Sequence, residues 1–413
     1  MKSDLDRIMA EQGIDALWVT GPTDHNPNMV YFTGIKNITS ADLFILRNQP
    51  PVLFHQPMER DEALKSGLKT VNYSHYPFTD FLKKAEGDTL RAYALINQAI
   101  LEDLHLTKAK VFISGKTDVG SAYAIIRETQ KLMPTLEITS GFQDEPFKIA
   151  RMTKDITEIE RICRVGKLTV EVVGLAADFL SHQQIREDIL VNNQGQAVTV
   201  GDVKTKLRLW LAERNLESPA EIVFSQGIDA AVPHSAGRVE DVIRIGIPIV
   251  FDIFPCEAGG GYYCDFTRTW CLGYAPDPVH KLHSQVLQVH HKIISELCIN
   301  RPFTHFQTRA CELFAQMGHA TVDRQPETEQ GYVHSLGHGV GLDVHEKPFS
   351  GLGASAVDSI QPGVVFTIEP GLYYPERGMG VRIEDTLFAD QQGKFDVLTE
   401  YSYDLVIPII KKP

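Results

Sequence analysis

The chain has no CxxC pair, and none of its six cysteines precedes Cys163. That pattern excludes a secreted disulfide framework and fits a reducing compartment. Positive charge is scarce as well: 40 Lys and Arg stand against 53 Asp and Glu, a formal net charge of −13. A broad electrostatic grip on phosphate backbones is therefore excluded, and nucleic acid is not an expected partner. No run approaches the ~18 apolar residues of a membrane span, so no membrane partner is expected. The residues from Met1 to Arg7 lack an apolar signal core, and the protein is expected to be cytoplasmic. Internal repeats and low-complexity tracts are absent, and the first half carries no glycine-rich phosphate loop after a strand.

What is present is a composition able to bury large cores, 43% hydrophobic and 23% charged over 413 residues. That length suits two or three domains. The first 150 residues alternate short β-type runs, at Ala16 to Val19, Leu43 to Leu46, Val52 to Phe54 and Val111 to Ile113, with helical stretches such as Ser3 to Gln12. This alternation predicts an α/β domain. No tract there gathers His, Cys and acids at ligand spacing, and its role reads as architectural. A polar, basic stretch from Phe147 to Asp155 then leads into a long helix that Asp155 caps, with Glu158 three residues on. Ile156, Ile159, Cys163 and Val170 are expected to share its apolar face. A second helix starts at Pro278, with Val279, Leu282, Val286, Val289 and Ile293 as a core stripe. β-rich segments at Ile247 to Ile253, Tyr262 to Leu272, Val364 to Ile368 and Val381 to Phe388 complete an α+β second domain. The expected division is 1–152 and 153–413.

Three clusters carry chemistry. The strand from Ile247 runs into Asp252, and a turn with Gly259, Gly260 and Gly261 returns through Asp265, Thr267 and Thr269, which share one strand face. Taken singly, either aspartate is a strand-end or capping acid. Next, His334, His338 and His345 fall within twelve glycine-rich residues; there is no HExxH, which excludes the zincin helix. Finally, Glu369 and Glu384 end or interrupt apolar β-type runs, where glutamate needs a partner. Arg382 lies on the same strand face as Glu384, and a surface Arg–Glu ladder is the plain alternative. Joined, Asp252, Asp265, His338, Glu369 and Glu384 give four hard carboxylates and one imidazole. That set suits two manganese, cobalt, iron or zinc ions, whose +4 balances the −4 of the acids. Without cations the cluster repels itself by roughly 4 kcal/mol per pair at 4 Å and an effective dielectric near 20.

These pieces, Asp252 with the Asp265 to Thr269 segment, Gly337 to Gly341, Ile368 to Gly371 and Val381 to Thr386, resemble the pita-bread metallopeptidases, the family of aminopeptidase P, prolidase, methionine aminopeptidase and creatinase. The resemblance runs from about residue 155 to the end. The segment Tyr31 to Gly34 lies in an N-terminal domain similar to that of the Xaa-Pro and creatinase branch, which methionine aminopeptidases lack. It implies a creatinase-like α/β N-terminal domain followed by a pita-bread α+β catalytic domain. It also implies that Asp252 chelates one ion, that Asp265 and Glu384 bridge both, and that His338 and Glu369 complete the second. His234 and His345 match histidines that contact substrate and steady the tetrahedral intermediate, and His334 matches another active-site histidine. Arg382 and Thr267 are expected to hold ligand carboxylates, Glu369 to shuttle a proton, and Tyr332 to wall the pocket.

The activity so implied is hydrolysis of Xaa-Pro bonds at the N-terminus of short proline-containing peptides, by a hydroxide held between two divalent ions, manganese foremost, in a homodimer. Creatinase-like hydrolysis or a lyase reaction on a small metabolite is an alternative, as is a non-catalytic binding module; the retained five-residue set favours the peptidase. Two departures matter. Asp252 and Asp265 stand 13 apart, two more than is usual in the family, so Glu257 to Gly260 is expected to form an enlarged turn. The interval from His345 to Glu369 has no arginine to take a substrate carboxylate, only Lys347.

Overall fold

The apolar runs of the N-terminal half form a mixed six-stranded sheet in the computed structural model, which describes residues 1–142 and 144–410. Its strands are β1 (Ala16–Gly21), β2 (Ala41–Leu46), β3 (Val52–His55), β4 (Lys69–Asn72), β5 (Lys110–Gly115) and β6 (Glu137–Thr139), in the spatial order β4-β3-β2-β1-β5-β6. Only β2 runs against its neighbours; β5 lies parallel to β1, β4 to β3 and β6 to β5. Helices α1 (Thr89–Asp103), capped by the Asp88 carboxylate, and α2 (Val119–Leu132), capped by Asp118, belong to the same unit. Trp18, Phe44, Phe54, Ile100 and Val111 are among the side chains of its core.

The chain divides into two compact units: Met1–Ala150 with Gly259–Gly261, and the remainder from Arg151. The glycines of the long Asp252–Asp265 connection thus group with the first unit. Gly259 and Gly260 hold φ of +84° and +81°, backbone that other residues rarely adopt.

The second unit opens with α3 (Ile156–Ser181), on which Asp155 and Glu158 form the expected capping box. Its buried face is not the expected one. Ile156 is 69% exposed, and Ile162, Val165, Val172, Val173, Ala176 and Leu180 are buried instead. Glu158, a charged residue, joins them because its carboxylate accepts a hydrogen bond from the Tyr262 hydroxyl at 2.7 Å and one from the Asp155 backbone. The preceding basic stretch is helical over Pro146–Met152, and Arg151 and Lys154 are both buried and paired with Glu346.

Four antiparallel or parallel strands follow: β7 (Val223–Gln226), β8 (Ile249–Ile253) and β9 (Phe266–Leu272) pair antiparallel, and the late β17 (Val406–Ile407) adds parallel to β9. Helix α4 (Asp277–Glu296) buries the predicted stripe from Val279 to Ile293. A five-stranded antiparallel sheet is built from β10 (His338–Gly339), β11 (Glu346–Phe349), β12 (Val365–Ile368), β15 (Asp385–Ala389) and β16 (Phe395–Val397), in the order β11-β10-β12-β15-β16. A hairpin of β13 (Gly371–Tyr374) and β14 (Met379–Arg382) stands between β12 and β15 in the chain. The expected strand from Val381 to Phe388 is therefore two strands, broken at Ile383 and Glu384. The break has a use: Glu384 bridges to Thr267 on β9 and ties the two sheets together. Cys163, Cys264, Cys271, Cys298 and Cys311 are free thiols, and no helix among the described residues is long and apolar enough to cross a membrane.

Candidate metal centre

Asp252 sits on β8, opposite Thr267 of β9. Asp265 immediately precedes β9, where its Oδ1 accepts from the Phe266 backbone at 2.9 Å and its carbonyl accepts from the Thr386 hydroxyl at 2.7 Å. His338 opens β10, Glu369 directly follows β12, and Glu384 fills the gap between β14 and β15. Both sheets thus deliver acids to one place by ending or breaking apolar strands there. Ligand-type atoms of Asp265, His338 and Glu384 all lie within 4.8 Å of one another. His338 Nε2 is 3.6 Å from Asp265 Oδ2 and 3.5 Å from Glu369 Oε1. Asp252 joins through Arg382, whose Nη2 donates to its Oδ2 at 2.6 Å.

The electrostatics call for cations. Burial, then the charges of Asp252 and Glu369, push the Asp265 carboxyl well above its ordinary range. Burial, then Asp265, Glu369 and Asp252, do the same to Glu384. Burial lifts Glu369 to about 8, with Arg382 opposing the rise and Asp252 adding to it. Burial, aided by His345, lowers His338 to about 3, so its imidazole is neutral. Its Nδ1 faces the Gly339 carbonyl at 3.0 Å and carries the hydrogen. The Nε2 lone pair then faces two carboxylate oxygens, an arrangement that a bound cation stabilises. Asp252 Oδ1 is buried with no hydrogen-bond partner among the described residues. A carboxylate-rich cluster with one imidazole and an orphaned acceptor fits divalent ions of the manganese to zinc series.

Around the acids stands a set of holding groups. The Thr267 hydroxyl donates to Glu384 Oε2 at 2.8 Å. Arg382 also donates to the Tyr373 hydroxyl at 2.7 Å and to the Pro233 carbonyl at 3.2 Å. Tyr373 in turn meets His334 Nε2 at 2.9 Å, while His334 Nδ1 faces the Ser335 carbonyl at 2.7 Å. Both ring nitrogens of His334 are thereby engaged, and burial with the Arg382 charge lowers it to about 3. Through these contacts His334 holds Tyr373 and, through it, Arg382. His345 stacks edge-on against His338 with ring centroids 4.4 Å apart, and His234 is exposed near the Pro233 carbonyl that Arg382 grips.

Two further residues lie in the interior. Tyr332 is 0% exposed, packed on Phe314 with ring centroids 4.9 Å apart, and its hydroxyl points to Gln307 at 3.4 Å, so that it backs His334 from the core. Lys347 is 2% exposed and its ammonium donates to Asp358 Oδ2 at 2.9 Å, so it is held in the interior and does not await a substrate carboxylate.

Sequence reasoning passed over Tyr373 and Arg268. Arg268 stands inside the Asp265 to Thr269 segment, and Tyr373 lies two residues beyond Gly371. Arg268, buried, donates to the Glu384 carbonyl at 2.7 Å and to Asp385 Oδ1 at 2.8 Å, fixing the backbone that presents Glu384. A buried arginine in an apolar strand was the available signal, since such a charge must be paired.

The model of metallopeptidase family M24 matches residues 160–391, and that of the creatinase/prolidase N-terminal domain matches residues 2–107. An uncharacterized peptidase of Staphylococcus haemolyticus is 24% identical over 396 residues, covering 94% of this chain and 95% of its own. Among solved structures, the Xaa-Pro dipeptidase from Bacillus anthracis has a TM-score of 0.76 at 19% identity, covering 98% of this chain and 99% of its own. The prolidase from Pyrococcus horikoshii OT3 has a TM-score of 0.73 at 22% identity, with 98% and 99% covered. The X-Pro aminopeptidase from Thermotoga maritima MSB8 has one of 0.74 at 21% identity, with 97% and 99% covered. The fold is thus a creatinase-type N-terminal domain followed by a pita-bread catalytic domain, and the chain belongs to metallopeptidase family M24.

Proposed function

We propose that this peptidase hydrolyses Xaa-Pro bonds at the N-terminus of peptides, using two divalent ions held by Asp252, Asp265, His338, Glu369 and Glu384. The observation that carries the reading is the convergence of the Asp265, Glu369 and Glu384 carboxylates on the neutral imidazole of His338, with Asp252 tied in through Arg382. Ions bound there supply Lewis acidity and a water nucleophile at neutral pH, and the hard, oxygen-rich set suits manganese first, with cobalt, zinc or iron as alternatives. The protein's own groups do the rest. Glu369, placed at a strand end beside His338, takes the attacking water's proton and delivers it to the leaving nitrogen. His345 and His234 are the donors left for the developing oxyanion and the substrate backbone. Arg382, steadied by Tyr373 and His334, orients Asp252, and Thr267 orients Glu384.

Proline suits such a site because its nitrogen carries no hydrogen, so a pocket reads ring shape in place of an N–H donor. The test is the kcat/KM of metal-reconstituted protein on matched Xaa-Pro and Xaa-Ala peptides. A preference for the proline peptides of tenfold or more, about 1.4 kcal/mol in the transition state, supports the reading. Equal cleavage, or cleavage of neither, refutes it.

A further inference from the structure

The N-terminal unit contains a cavity of about 520 Å³ that the peptidase reading leaves unused. It lies where the carboxyl ends of β1, β3, β4 and β5 open beside the start of β2, with α1 and α2 as its far wall. The chain lays β2, β3 and β4 to one side of β1 and then crosses to place β5 on the other. That reversal is a topological switch point, the place where open α/β sheets form ligand crevices at their carboxyl edge.

Asp42 stands in this crevice. Its Oδ1 accepts from the Trp18 indole at 2.7 Å, and its Oδ2 accepts from the Tyr73 hydroxyl. A carboxylate has about four acceptor sites, so two remain for a ligand. Among the described residues the lining holds no lysine, arginine or histidine, which leaves this charge without a counter-ion. The walls are aromatic: besides Trp18 and Tyr73, Phe78 and Tyr93 pair at the rim with centroids 5.1 Å apart. A lone carboxylate among ring faces recognises a cation, through a charge-assisted hydrogen bond and the negative faces of the rings.

We propose that this cavity binds a small organic ammonium ion, with its charged nitrogen on Asp42 and its apolar body against the paired rings of Phe78 and Tyr93. The volume falls in the range of small-molecule sites. The proposal does not rest on the peptidase reading.

The test titrates the full chain calorimetrically with 2-phenylethylammonium, and with the neutral 2-phenylethanol and the anionic 3-phenylpropionate as controls. The ammonium is expected to bind roughly tenfold more tightly than the alcohol, and the anion not at all. Asp42→Asn should abolish that preference. Tyr93→Ala should weaken the ammonium and the alcohol together, and with its side chain 46% exposed this variant carries the test if Asp42→Asn does not fold. His338→Ala separates the two sites, because a peptide-amine site in the catalytic unit could also take an ammonium; binding that survives His338→Ala and falls to the alcohol's level in Asp42→Asn belongs to the cavity. No binding to the wild type, equal affinity for ammonium and alcohol, binding unchanged by Asp42→Asn and Tyr93→Ala, or binding lost in His338→Ala would each overturn the proposal.

Discussion

Replacing Lys347 by methionine tests how the site treats a substrate's free carboxylate. In the fold, Lys347 is buried and its ammonium is 2.9 Å from Asp358 Oδ2 and 3.2 Å from Ser355 Oγ. Methionine keeps most of the volume but leaves Asp358 a buried acid without its cation. Removing one member of a buried pair costs ~3 to 5 kcal/mol. Asp358 keeps three donors, the backbone of Phe349 at 2.9 Å, the backbone of Ser355 at 2.7 Å and the Ser355 hydroxyl at 3.1 Å, which places the loss near the lower figure. If Lys347 instead received the carboxylate of an Xaa-Pro dipeptide, that charge-assisted contact would be worth ~1.5 to 3 kcal/mol. Its loss would lower dipeptide kcat/KM by roughly 10 to 150-fold and leave longer peptides unaffected. We therefore expect Lys347→Met to lower stability in urea unfolding while the ratio of kcat/KM for Xaa-Pro-Yaa peptides to that for Xaa-Pro dipeptides stays within about twofold of wild type. In the wild type itself, tripeptides should be cleaved at least as well as dipeptides. A selective loss of dipeptide cleavage at unchanged stability would refute the reasoning, as would a wild-type preference for dipeptides of tenfold or more.

Other expectations follow from the same geometry. Tyr373→Phe removes the hydroxyl between Arg382 and His334, leaves a buried guanidinium N–H unsatisfied, and should reduce metal affinity or activity ~10 to 100-fold; wild-type values of both would remove Tyr373 from the account. Glu384→Ala and His338→Ala should each lower the metal content measured by elemental analysis below that of the wild type. Two full equivalents in either variant would contradict the assigned set. Chelation should abolish peptide cleavage and lower the melting temperature, because ions that bind only the native cluster stabilise it by mass action, and both effects should reverse on adding metal back. A chelated protein with full activity would exclude a metal role.

Much of the candidate metal cluster was legible because the strands around it are so apolar. Asp252 among Ile249, Val250, Phe251 and Ile253, or Glu369 after Val365 to Ile368, stands out as an acid that must be paired. Local signals survived too: the Asp155 and Glu158 capping box needs only its own turn. The apolar face of α3 was misread because counting apolar letters cannot see that Glu158 has Tyr262 as a partner 104 positions away, whereas Ile156 has none in the core. The buried pairing of Lys347 was hidden for a related reason. Its partner Asp358 is 11 residues on, and nothing in the interval marks the two as a buried pair. Tyr373 and Arg268 owe their roles to contacts across two sheets, and the N-terminal cavity collects single residues from many strand and helix ends. No period or spacing records such meetings.

The central claim, that this cluster holds two divalent ions, is tested most directly by anomalous X-ray scattering from crystals of active, metal-loaded protein. The account predicts two peaks roughly 3.5 to 4 Å apart, bounded by Asp252, Asp265, His338, Glu369 and Glu384. Fully active crystals with no peak beside Asp265 and Glu384 would contradict it.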